Sequence, residues 1–568
     1  MFGSETDIVP AFAFRSVVST AVRPDDGDST VVRPRADASD IRIPKSYAEA
    51  MRSPEREYWK SATVLELTGL MERGCWDMVL RSSMPSGSNL MRCHIVYTVK
   101  RNADGSIDKF KARLVADGNT QRHGVDYDRV FSTVVKMSTV RLMLTVAVTR
   151  GMSLSSLDVR QAFLHADLDR PLYMHVPPGL PRVDSQSRPL VACLRKSLYG
   201  LKQAGREWNK VFVAFLIEYG FVQSPADTCL FVHVSRSVLT IMLVIWVDDI
   251  ICADASADAR DHFAAALAKR FDVEDKAALH WVLGISVHHD RGARMLRLSQ
   301  QLYIEDTLRK FAPHIDVARR YDSPMADDIQ LNHDQCPEPG SSEAAEMAPY
   351  REPYMSVVGA LLWLAACTRP DLTFATSVLA RFVSNPARVH YAALQRVLAY
   401  LQGTSSLGLT LRPDADIPLT VYADSSWAER FSTSGGLIFV HGALVAWWSR
   451  LQRTVAHSSA EAEYIAASLA AREGCHVRAL CIDFLVKLGG ATPLRLDSKS
   501  AIDMAHDPVA FKKTKHIMRE SFYLRDLVSR HVYAPEHVPS EQQLADLLTK
   551  ALARALFVHL RDHIMPAN

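Results

Sequence analysis

Two adjacent aspartates, Asp248 and Asp249, follow an apolar run from Ile241 to Val247 and precede Ile250 and Ile251. The apolar residues on both sides predict buried strands that flank the pair. Neighbouring carboxylates in such surroundings repel each other and lose hydration, which is costly unless a positive charge compensates them. Carboxylate oxygens are ligands that suit a divalent cation. The doublet therefore predicts a metal site within a buried hairpin.

Asp158 is the candidate for a third carboxylate. Two metal ions held about 3.5–4 Å apart need an acidic ligand besides the doublet. Asp158 follows a predicted strand from Met152 to Leu157. Taken alone, it could instead be the N-cap of a helix. Its combination with the doublet favours a site that holds two Mg²⁺ ions, with Mn²⁺ as a substitute.

Two other aspartate pairs contrast with this doublet. Asp25 and Asp26 lie in a polar segment, and Asp327 and Asp328 lie in a loop rich in proline and aspartate. Acidic side chains in such sequence are usually solvated. We interpret both pairs as surface charges.

Length and composition limit the class of protein. A chain of 568 residues is too long for one hydrophobic core, and about three or four domains are expected. The 66 basic residues barely outnumber the 63 acidic ones, so any surface that binds nucleic acid must be local. Nine cysteines without a Cys-x-x-Cys pair indicate neither a disulfide framework nor a zinc site. With no secretory signal and no apolar run of ~20 residues, a soluble cytoplasmic protein without a membrane partner is expected.

Changes of pattern along the chain indicate its organisation. Residues 1–45 predict a flexible N-terminal arm, and a helix is predicted from Ser46 onward. Residues 92–122 predict a hairpin with its turn at 102–105. The hairpin carries seven basic and three acidic residues, so it is either a charged strand face or an element that grips phosphates.

The second half of the chain predicts a different arrangement. A helix-rich stretch covers 354–402, and the composition changes near 413–418. Strands followed by alternating helices and strands indicate a separate α/β domain. The predicted strands are 419–424, 436–440, 443–448 and 494–497, and the predicted helices start near 459 and cover 513–530 and 541–558.

Several motifs resemble the reverse transcriptase of copia-type retrotransposons. They are KARLVADGNTQRHGVDYDRVFSTVVKMSTVRLML from Lys111, LDVRQAFLHADLDRPLYMHVPPGL from Leu157, LRKSLYGLKQAGREWN from Leu194, WVDDI from Trp246, HWVLGISV from His280 and TRPDLTFATSVLARFVSNPARVHYAALQRVLAYLQGT from Thr368. The similarity extends from about Trp59 to the end of the chain. It implies an α+β and α/β multidomain fold, a right-hand polymerase followed by a ribonuclease H-like domain. The fingers and palm would occupy 46–310, the thumb and connection 311–415, and the ribonuclease H-like domain 416–568.

The resemblance also implies roles for individual residues. The three aspartates match the metal-binding triad of the palm. Phe163 matches the aromatic gate beneath the sugar, which favours dNTPs by excluding a 2′-hydroxyl. Lys111 and Arg113 resemble the fingers residues that contact the incoming triphosphate, and Gln203 resembles the glutamine near the nucleotide and template. Trp246 stands where the family has tyrosine, and it is expected to pack near the primer end.

Acidic residues recur at spaced positions in the last part of the chain. They end predicted strands, lie on a predicted helix or lie near the last helix: Asp424, Glu461, Glu463, Asp497 and Asp546. Each alone could be a cap or a surface charge. Four acids brought to one sheet edge could instead hold two Mg²⁺ ions about an attacking water and a leaving oxygen. The two glutamates face different sides of the helix, so only one can reach the metals.

This part resembles the ribonuclease H domain of copia-type elements. Its motifs are YADSSWAE from Tyr422, STSGGLIFVHGALVAWWS from Ser432, SSAEAEYIAAS from Ser458, FKKTKHI from Phe511 and QQLADLLTK from Gln542. Glu463 fits the family's Glu–apolar–apolar–Ala–Ala pattern, with Glu461 as the alternative. The resemblance implies that Asp424, Glu463, Asp497 and Asp546 bind metal and catalyse hydrolysis.

Together these resemblances imply an RNA-directed DNA polymerase that also hydrolyses the RNA strand of RNA–DNA hybrids. The expected partners are an RNA template, a DNA primer, RNA–DNA hybrid, dNTPs and two Mg²⁺ ions per site. In an active element the protein would act in the cytoplasm, within virus-like particles. No protease, integrase or capsid portion is recognisable before residue 46. That favours an alternative, a truncated or degenerate protein that binds nucleic acid without turnover.

Overall fold

The computed structural model describes residues 41–101, 107–311, 320–428, 430–506 and 518–566. The predicted arm at 1–45 lies outside this part of the chain except for its last five residues. The predicted hairpin turn at 102–105 also lies outside the described residues.

Helices occur along the whole described chain. They are α1 (Tyr47–Ala50), α2 (Arg56–Glu72), α3 (Met137–Thr149), α4 (Ala204–Tyr219), α5 (Ala257–Arg270), α6 (Gln301–Lys310), α7 (Ser342–Cys367), α8 (Thr373–Leu379), α9 (Arg388–Gly403), α10 (Ser459–Asp483), α11 (Lys499–His506), α12 (Met518–Ser529) and α13 (Arg554–Ile564). No helix in the described ranges is both long enough and apolar enough to cross a membrane.

Strands lie between these helices, often several in succession. They are β1 (Trp76–Leu80), β2 (Leu90–Met91), β3 (Cys93–Arg101), β4 (Ile107–Ala116), β5 (Ser153–Val159), β6 (Asp167–Met174), β7 (Leu190–Lys196), β8 (Val222–Gln223), β9 (Leu230–Ser235), β10 (Val238–Trp246), β11 (Asp249–Asp254), β12 (Val273–Ala278), β13 (Trp281–Val282), β14 (Ile285–Asp290), β15 (Met295–Ser299), β16 (Leu409–Leu411), β17 (Thr420–Ser426), β18 (Thr433–Val440), β19 (Ala443–Leu451), β20 (Thr492–Leu496) and β21 (Tyr533–His537). The mixture of helices and several separate sheets agrees with the α+β and α/β multidomain class predicted from the sequence.

The contacts divide the chain into two compact units. The first comprises the residues up to Val134 together with Val159–Gly220 and Ala268–Glu274. The second comprises Val135–Asp158, Phe221–Leu267 and the residues from Asp275 onward. The predicted boundaries 46–310, 311–415 and 416–568 describe functional parts, and they stay a prediction.

The first unit contains a four-stranded sheet and the predicted hairpin. The sheet order is β1-β7-β6-β2, and β3 pairs with β4 in an antiparallel register. Alternate hairpin residues such as Tyr97 and Leu114 are buried, as the period of two predicts. Trp59 of α2 is fully buried, and its ring packs edge-to-face on Phe110 of β4 with the centroids 4.6 Å apart. The two strands of the hairpin prediction are confirmed.

The second unit contains the predicted apolar hairpin that carries the Asp248–Asp249 doublet. Strands β5, β11, β10, β9 and β8 are adjacent in this order, and β5, β11 and β10 are antiparallel. Helix α3 is buried at every position from Thr139 to Val148, so it belongs to the core. A second sheet in this unit has the order β13-β14-β15-β16.

The C-terminal sheet of the second unit has the order β19-β18-β17-β20-β21. Strands β17, β18 and β19 are antiparallel, whereas β20 lies parallel to both β17 and β21. The strands and the long helix predicted after residue 416 are therefore confirmed. The predicted helix at 513–530 is described only from Met518 onward, and α11 and β21 were not predicted.

Arg141 connects three elements of the second unit through hydrogen bonds. It is buried on α3, and its Nε atom donates to the carbonyl oxygen of Val445 on β19 at 2.8 Å. Its Nη1 atom donates to the carbonyl oxygens of Ala366 and Cys367 on α7 at 2.8 and 2.9 Å. The guanidinium also stacks 3.8 Å from the ring of Trp447. These contacts satisfy a cation that would otherwise be costly to bury.

Two predicted helices differ from the observed ones. The helix predicted from Ser46 is interrupted between α1 and α2, where Pro54 disfavours helical geometry at the residue before it. The helix predicted at 541–558 is wrong in its first part. Residues 540–542 and 544–548 form short 3₁₀ turns, and α13 begins only at Arg554. Gln543 separates the turns with an extended backbone (φ −74°, ψ 94°), and its Nε2 atom donates to the carbonyl oxygen of Ala423 at 3.0 Å.

Two candidate carboxylate sites

The aspartate doublet lies at the tip of the β10–β11 hairpin. Trp246 and Asp249 are paired across the two strands, and Val247 and Asp248 form the turn between them. Val247 has a φ of 61°, which a β-branched residue rarely adopts. Backbone strain of this kind is often concentrated at functional sites. Trp246 is half-buried and packs against the core of the second unit.

Asp158 lies beside the doublet. It is on β5, and its Cα is directly paired with that of Asp249 on β11. Side chains at paired positions of adjacent strands point to the same face of a sheet. Asp158 is therefore a strand residue, not an N-cap, and the structure brings Asp158 together with Asp249 next to Asp248.

Lys276 contacts this group and was not predicted. Its Nζ atom lies 3.5 Å from Oδ1 of Asp158 and 3.4 Å from Oδ1 of Asp249. An ammonium group at these distances compensates part of the negative charge of the two carboxylates. The contact is tertiary, and nothing in the surrounding sequence motif pointed to it.

The other predicted polymerase residues lie in the first unit. Lys111 and Arg113 are two residues apart on β4 and therefore share a face of the hairpin. Burial and the neighbouring Arg113 cation lower the pKa of Lys111. The Arg113 guanidinium lies 4.1 Å from the centroid of the Tyr199 ring, and Phe163 packs edge-to-face on that ring at 5.0 Å. The first unit therefore places Arg113, one of these two basic residues, beside a pair of aromatic rings.

Gln203 is bonded within the protein. Its Nε2 atom donates to the carbonyl oxygen of Asp126 at 3.0 Å, and its Oε1 atom accepts from Gln121 Nε2 at 3.0 Å. The side chain is almost completely buried. Both ends of the amide thus support the fold locally, and the predicted nucleotide contact of Gln203 stays a prediction.

The second cluster forms beside β17 and β20, two adjacent interior strands of the C-terminal sheet. Asp424 is on β17, Glu463 is on α10 and Asp497 directly follows β20. One carboxylate oxygen from each of these three residues lies within 4.8 Å of the other two. Asp546, in the second 3₁₀ turn, is buried, and burial together with the nearby Asp424 carboxylate raises its pKa. The structure therefore brings together the four acids that the sequence selected.

Glu461 and Glu463 have different surroundings. Oε2 of Glu461 accepts from the backbone N–H of His457 at 3.0 Å, while its own N–H donates to the N-cap hydroxyl of Ser458 at 3.2 Å. That is the reciprocal pattern of a helix N-terminus. Glu463 accepts from the N–H of Ser425 at 3.3 Å through Oε1, and within the described part of the chain its buried Oε2 has no hydrogen-bond partner. The geometry thus favours Glu463 as a ligand.

The electrostatics of this cluster fit a divalent cation. Burial, together with the Asp424 and Asp497 carboxylates, raises the pKa of Glu463 to about 9. Burial and Asp424 raise the pKa of Asp546 to about 7, and the same two causes raise that of Asp497. Carboxyl groups with such pKa values are short of positive charge. Buried oxygens of this kind are the hard ligands that Mg²⁺ prefers.

Thr549 and Lys550 complete the surroundings of this cluster. The hydroxyl of Thr549 donates to Oδ2 of Asp424. Nζ of Lys550 lies 2.8 Å from Oδ1 of Asp546 and 3.9 Å from Oδ2 of Asp424. Both residues lie in or directly beside the turn that carries Asp546, within the QQLADLLTK motif. The motif was recognised from the sequence, but the role of its last two residues was missed.

Comparison with known proteins shows which class of protein the chain is similar to. Residues 74–320 match the family described as reverse transcriptase (RNA-dependent DNA polymerase). The chain is 33% identical over 526 residues to a retrovirus-related Pol polyprotein from transposon TNT 1-94 of Nicotiana tabacum, covering 91% of this chain and 38% of that polyprotein. It is also 33% identical to the Pol polyprotein from transposon RE1 of Arabidopsis thaliana, covering 91% of this chain and 34% of that protein. The chain thus spans little more than a third of the length of these relatives.

A shorter relative is covered almost completely. A transposon Ty5-1 protein of Saccharomyces cerevisiae is 32% identical over 317 residues, which are 55% of this chain and 98% of that protein. The chain belongs to the Pol polyprotein family of copia-type retrotransposons, and it contains the reverse transcriptase region. A solved foamy viral protease–reverse transcriptase in complex with double-stranded DNA aligns over 95% of this chain and 83% of its own, with a TM-score of 0.46 and 11% identity.

Proposed function

We propose that this chain is an RNA-directed DNA polymerase whose second carboxylate cluster hydrolyses the RNA strand of RNA–DNA hybrids. The pairing of Asp158 with Asp249 beside Asp248, in a chain of the reverse transcriptase family, is the observation that carries the proposal. The proposed partners are an RNA template, a DNA primer and dNTPs. Action within cytoplasmic virus-like particles stays a prediction.

At the first site, Asp158, Asp248 and Asp249 would hold Mg²⁺, or Mn²⁺ in its place. When bound, the metal supplies positive charge to the 3′-hydroxyl and the triphosphate oxygens. The strained turn at Val247 keeps Asp248 at the hairpin tip next to Asp249. Asp158 and Asp249, paired across two strands, would offer oxygen ligands on one face of the sheet, with Asp248 in the adjoining turn.

Residues of the first unit are proposed to bind the incoming nucleotide. Lys111 and Arg113 would contact the triphosphate of the incoming dNTP, since adjacent cations on one strand face suit a polyanion. Phe163, which packs against Tyr199, would contact the sugar of the nucleotide and disfavour a 2′-hydroxyl. Trp246 of the second unit would pack near the primer end.

At the second cluster, Asp424, Glu463 and Asp497 would hold a divalent cation, with Asp546 beside them. When bound, the metal supplies charge to an attacking water and to the leaving oxygen. Within the described residues, the buried Oε2 atom of Glu463 has no hydrogen-bond partner. A buried carboxylate oxygen without a partner destabilises the fold, so this atom supports the proposal that a cation binds here.

The decisive experiment measures both activities in the purified full chain. Primer extension on an RNA template with Mg²⁺ or Mn²⁺ is expected, and it should disappear in Asp248→Asn. Cleavage of RNA–DNA hybrid is expected, and it should disappear in Asp424→Asn while extension remains. Asp328→Asn, an exposed aspartate of the Asp327–Asp328 pair, is the matched control and should keep both activities.

The alternative is a degenerate protein that binds nucleic acid without turnover. The Lys276 ammonium close to two of the three palm carboxylates favours it, because a resident cation weakens the attraction of the site for metal. If folded wild-type protein extends primers no better than Asp248→Asn yet retains hybrid in a binding assay, this alternative is the correct one.

A further inference from the structure

Three strands of the β1-β7-β6-β2 sheet in the first unit are followed directly by basic residues. Strand β7 is antiparallel to β1 and to β6, and β2 is parallel to β6, so β1, β6 and β2 run in the same direction. Arg81 follows β1, His175 follows β6 and Arg92 follows β2. One end of the sheet therefore carries two guanidiniums and an imidazole.

A third guanidinium comes to this end of the sheet from the segment before β7. The N–H of Leu190 donates to the carbonyl oxygen of Arg182 at 2.9 Å, and the N–H of Arg81 donates to that of Pro189 at 2.9 Å. These two bonds hold the segment beside the end of β1. All four basic residues line one cavity of about 560 Å³, which lies within the first unit.

Positive charge in this cavity exceeds negative charge. Asp117 is the one acidic residue in its described lining, and its carboxylate already lies 3.5 Å from Nε of Arg92 and 2.6 Å from Nδ1 of His94. Within the part of the chain that the structure describes, neither Arg81 nor Arg182 has a carboxylate partner. Both arginines are exposed, so their guanidiniums are accessible to an anion.

The imidazole of His175 is affected by the same charges. Partial burial lowers its pKa, and the guanidiniums of Arg81, Arg182 and Arg92 lower it further. An anion bound in the cavity would oppose this effect, because a nearby negative charge favours the imidazolium form. The protonated ring would then add a further donor to those of the arginines.

We propose that this cavity binds a phosphomonoester, namely the 5′-phosphate at the end of a nucleic-acid strand. A terminal phosphate carries up to two negative charges and three acceptor oxygens, which suits guanidiniums that converge from several strands. The phosphates inside a strand carry one charge each, so they match this excess of cations less well. Pro178 and Val183 also line the cavity and offer apolar contacts to the adjoining sugar or base.

The cavity is separate from the residues proposed to bind the incoming nucleotide. Lys111 and Arg113 are not part of its described lining. Arg113 precedes Asp117 by four positions, which is roughly 13 Å along an extended strand. The inference therefore goes beyond the proposed function, and it requires neither a metal ion nor turnover.

The test measures how single-stranded oligonucleotides bind the full chain, by fluorescence anisotropy in EDTA at one salt concentration. Two strands of identical sequence carry a label at the 3′ end, and they differ only in having a 5′-phosphate or a 5′-hydroxyl. The phosphorylated strand should bind about tenfold more tightly, because hydrogen bonds between charged groups are strong. Equal affinities of the two strands would overturn the inference.

A double variant, Arg81→Met with Arg182→Met, should lose the preference for the phosphorylated strand and keep its affinity for the 5′-hydroxyl strand. Arg56→Met is the control, since it removes an exposed arginine of the first unit that pairs with Glu57, and it should keep the preference. Urea unfolding establishes that the variants are folded. If the double variant does not fold, Arg182→Met alone replaces it. A full preference in the folded variant overturns the inference.

A substitution of opposite sign tests the electrostatic basis. Asp117→Asn removes the carboxylate from the lining of the cavity, so the phosphorylated strand should bind more tightly than it binds the wild-type chain. The 5′-hydroxyl strand should bind both proteins equally. Weaker or unchanged binding of the phosphorylated strand would contradict the inference.

Competition distinguishes a strand end from free phosphate compounds. A deoxynucleoside 5′-monophosphate and inorganic phosphate are each titrated against the bound phosphorylated strand. Only a large excess of either should displace it, because neither makes the contacts of the following nucleotides. Displacement at concentrations equal to that of the strand would overturn the assignment to a strand end.

Primer extension and hybrid cleavage play no part in these measurements, so the two proposals fail separately. A chain that prefers the phosphorylated strand but never extends a primer contradicts the proposed function alone. A chain that extends primers but binds both strands equally contradicts the inference alone.

Discussion

Lys276 places its Nζ atom 3.4 Å from Oδ1 of Asp249, an aspartate of the doublet that the sequence selects as a metal ligand. The same ammonium lies 3.5 Å from Asp158. The Lys276 side chain is substantially exposed, with 43% of it accessible. A divalent cation can therefore displace it into solvent, and the palm is expected to bind metal in competition with a tethered cation.

Replacing Lys276 by methionine should raise the affinity of the palm for Mn²⁺. Since exposed ion pairs contribute roughly 0.2–1 kcal/mol, the gain should be up to about fivefold. Mn²⁺ titration of a chain with the second cluster silenced by Asp424→Asn measures it. Lys269→Met, an exposed lysine on α5, is the control. Equal affinities in the two variants would show that Lys276 does not compete with metal.

Replacing Gln203 by methionine should lower stability more than it changes nucleotide use. The change leaves the Asp126 carbonyl and the Gln121 amide without their buried partner, which costs about 1–3 kcal/mol. Urea unfolding measures the loss, and the KM for dNTP in primer extension measures substrate contact. A several-fold rise in KM with unchanged stability would instead support the predicted nucleotide contact.

Substitutions of the two neighbouring glutamates of α10 should have different effects, one on stability and the other on metal binding. Glu461→Gln weakens the helix N-terminus, and a loss of about 0.5–1 kcal/mol is expected with Mn²⁺ binding intact. Glu463→Gln removes a proposed ligand, so Mn²⁺ affinity should fall at least tenfold. Urea unfolding and Mn²⁺ titration of both variants test the assignment. The reverse pattern would identify Glu461 as the ligand.

Stability without divalent metal should decrease as the pH rises. At a pH below 4.5, Glu463 carries its proton in both the folded and the unfolded chain. Between that value and about 9, the unfolded chain ionises while the folded chain keeps the proton, so the free energy of unfolding falls. Unfolding in EDTA across this range should show a shallower decline in Glu463→Gln. Identical slopes would mean that Glu463 does not titrate in the folded chain as its burial suggests.

The sequence predicted the parts of the fold that depend on local pattern. Alternation in the basic hairpin and the apolar run before Asp248 gave the correct strands, because a period of two follows from strand geometry. Resemblance to known motifs selected acids that the structure does bring together. The domain boundaries and the roles of the individual site residues stay predictions.

What escaped prediction depends on contacts between distant residues. The 541–558 segment has the apolar spacing of a helix, yet Gln543 bonds to Ala423, 120 positions away, and its extended backbone divides the segment. Lys276 and Lys550 are ordinary lysines in sequence, and only the folded chain shows what they contact. Local patterns carry no information about such partners.

The bonds of Arg141 have a practical consequence for dissecting the two activities. A fragment that ends before the C-terminal sheet would lose the Val445 acceptor and the Trp447 ring, and it would open the buried helix α3 to water. Newly exposed apolar surface of this kind promotes aggregation. An inactive truncated fragment would therefore say little about the chemistry of the palm. The two activities are therefore better separated by single substitutions in the intact chain than by truncation.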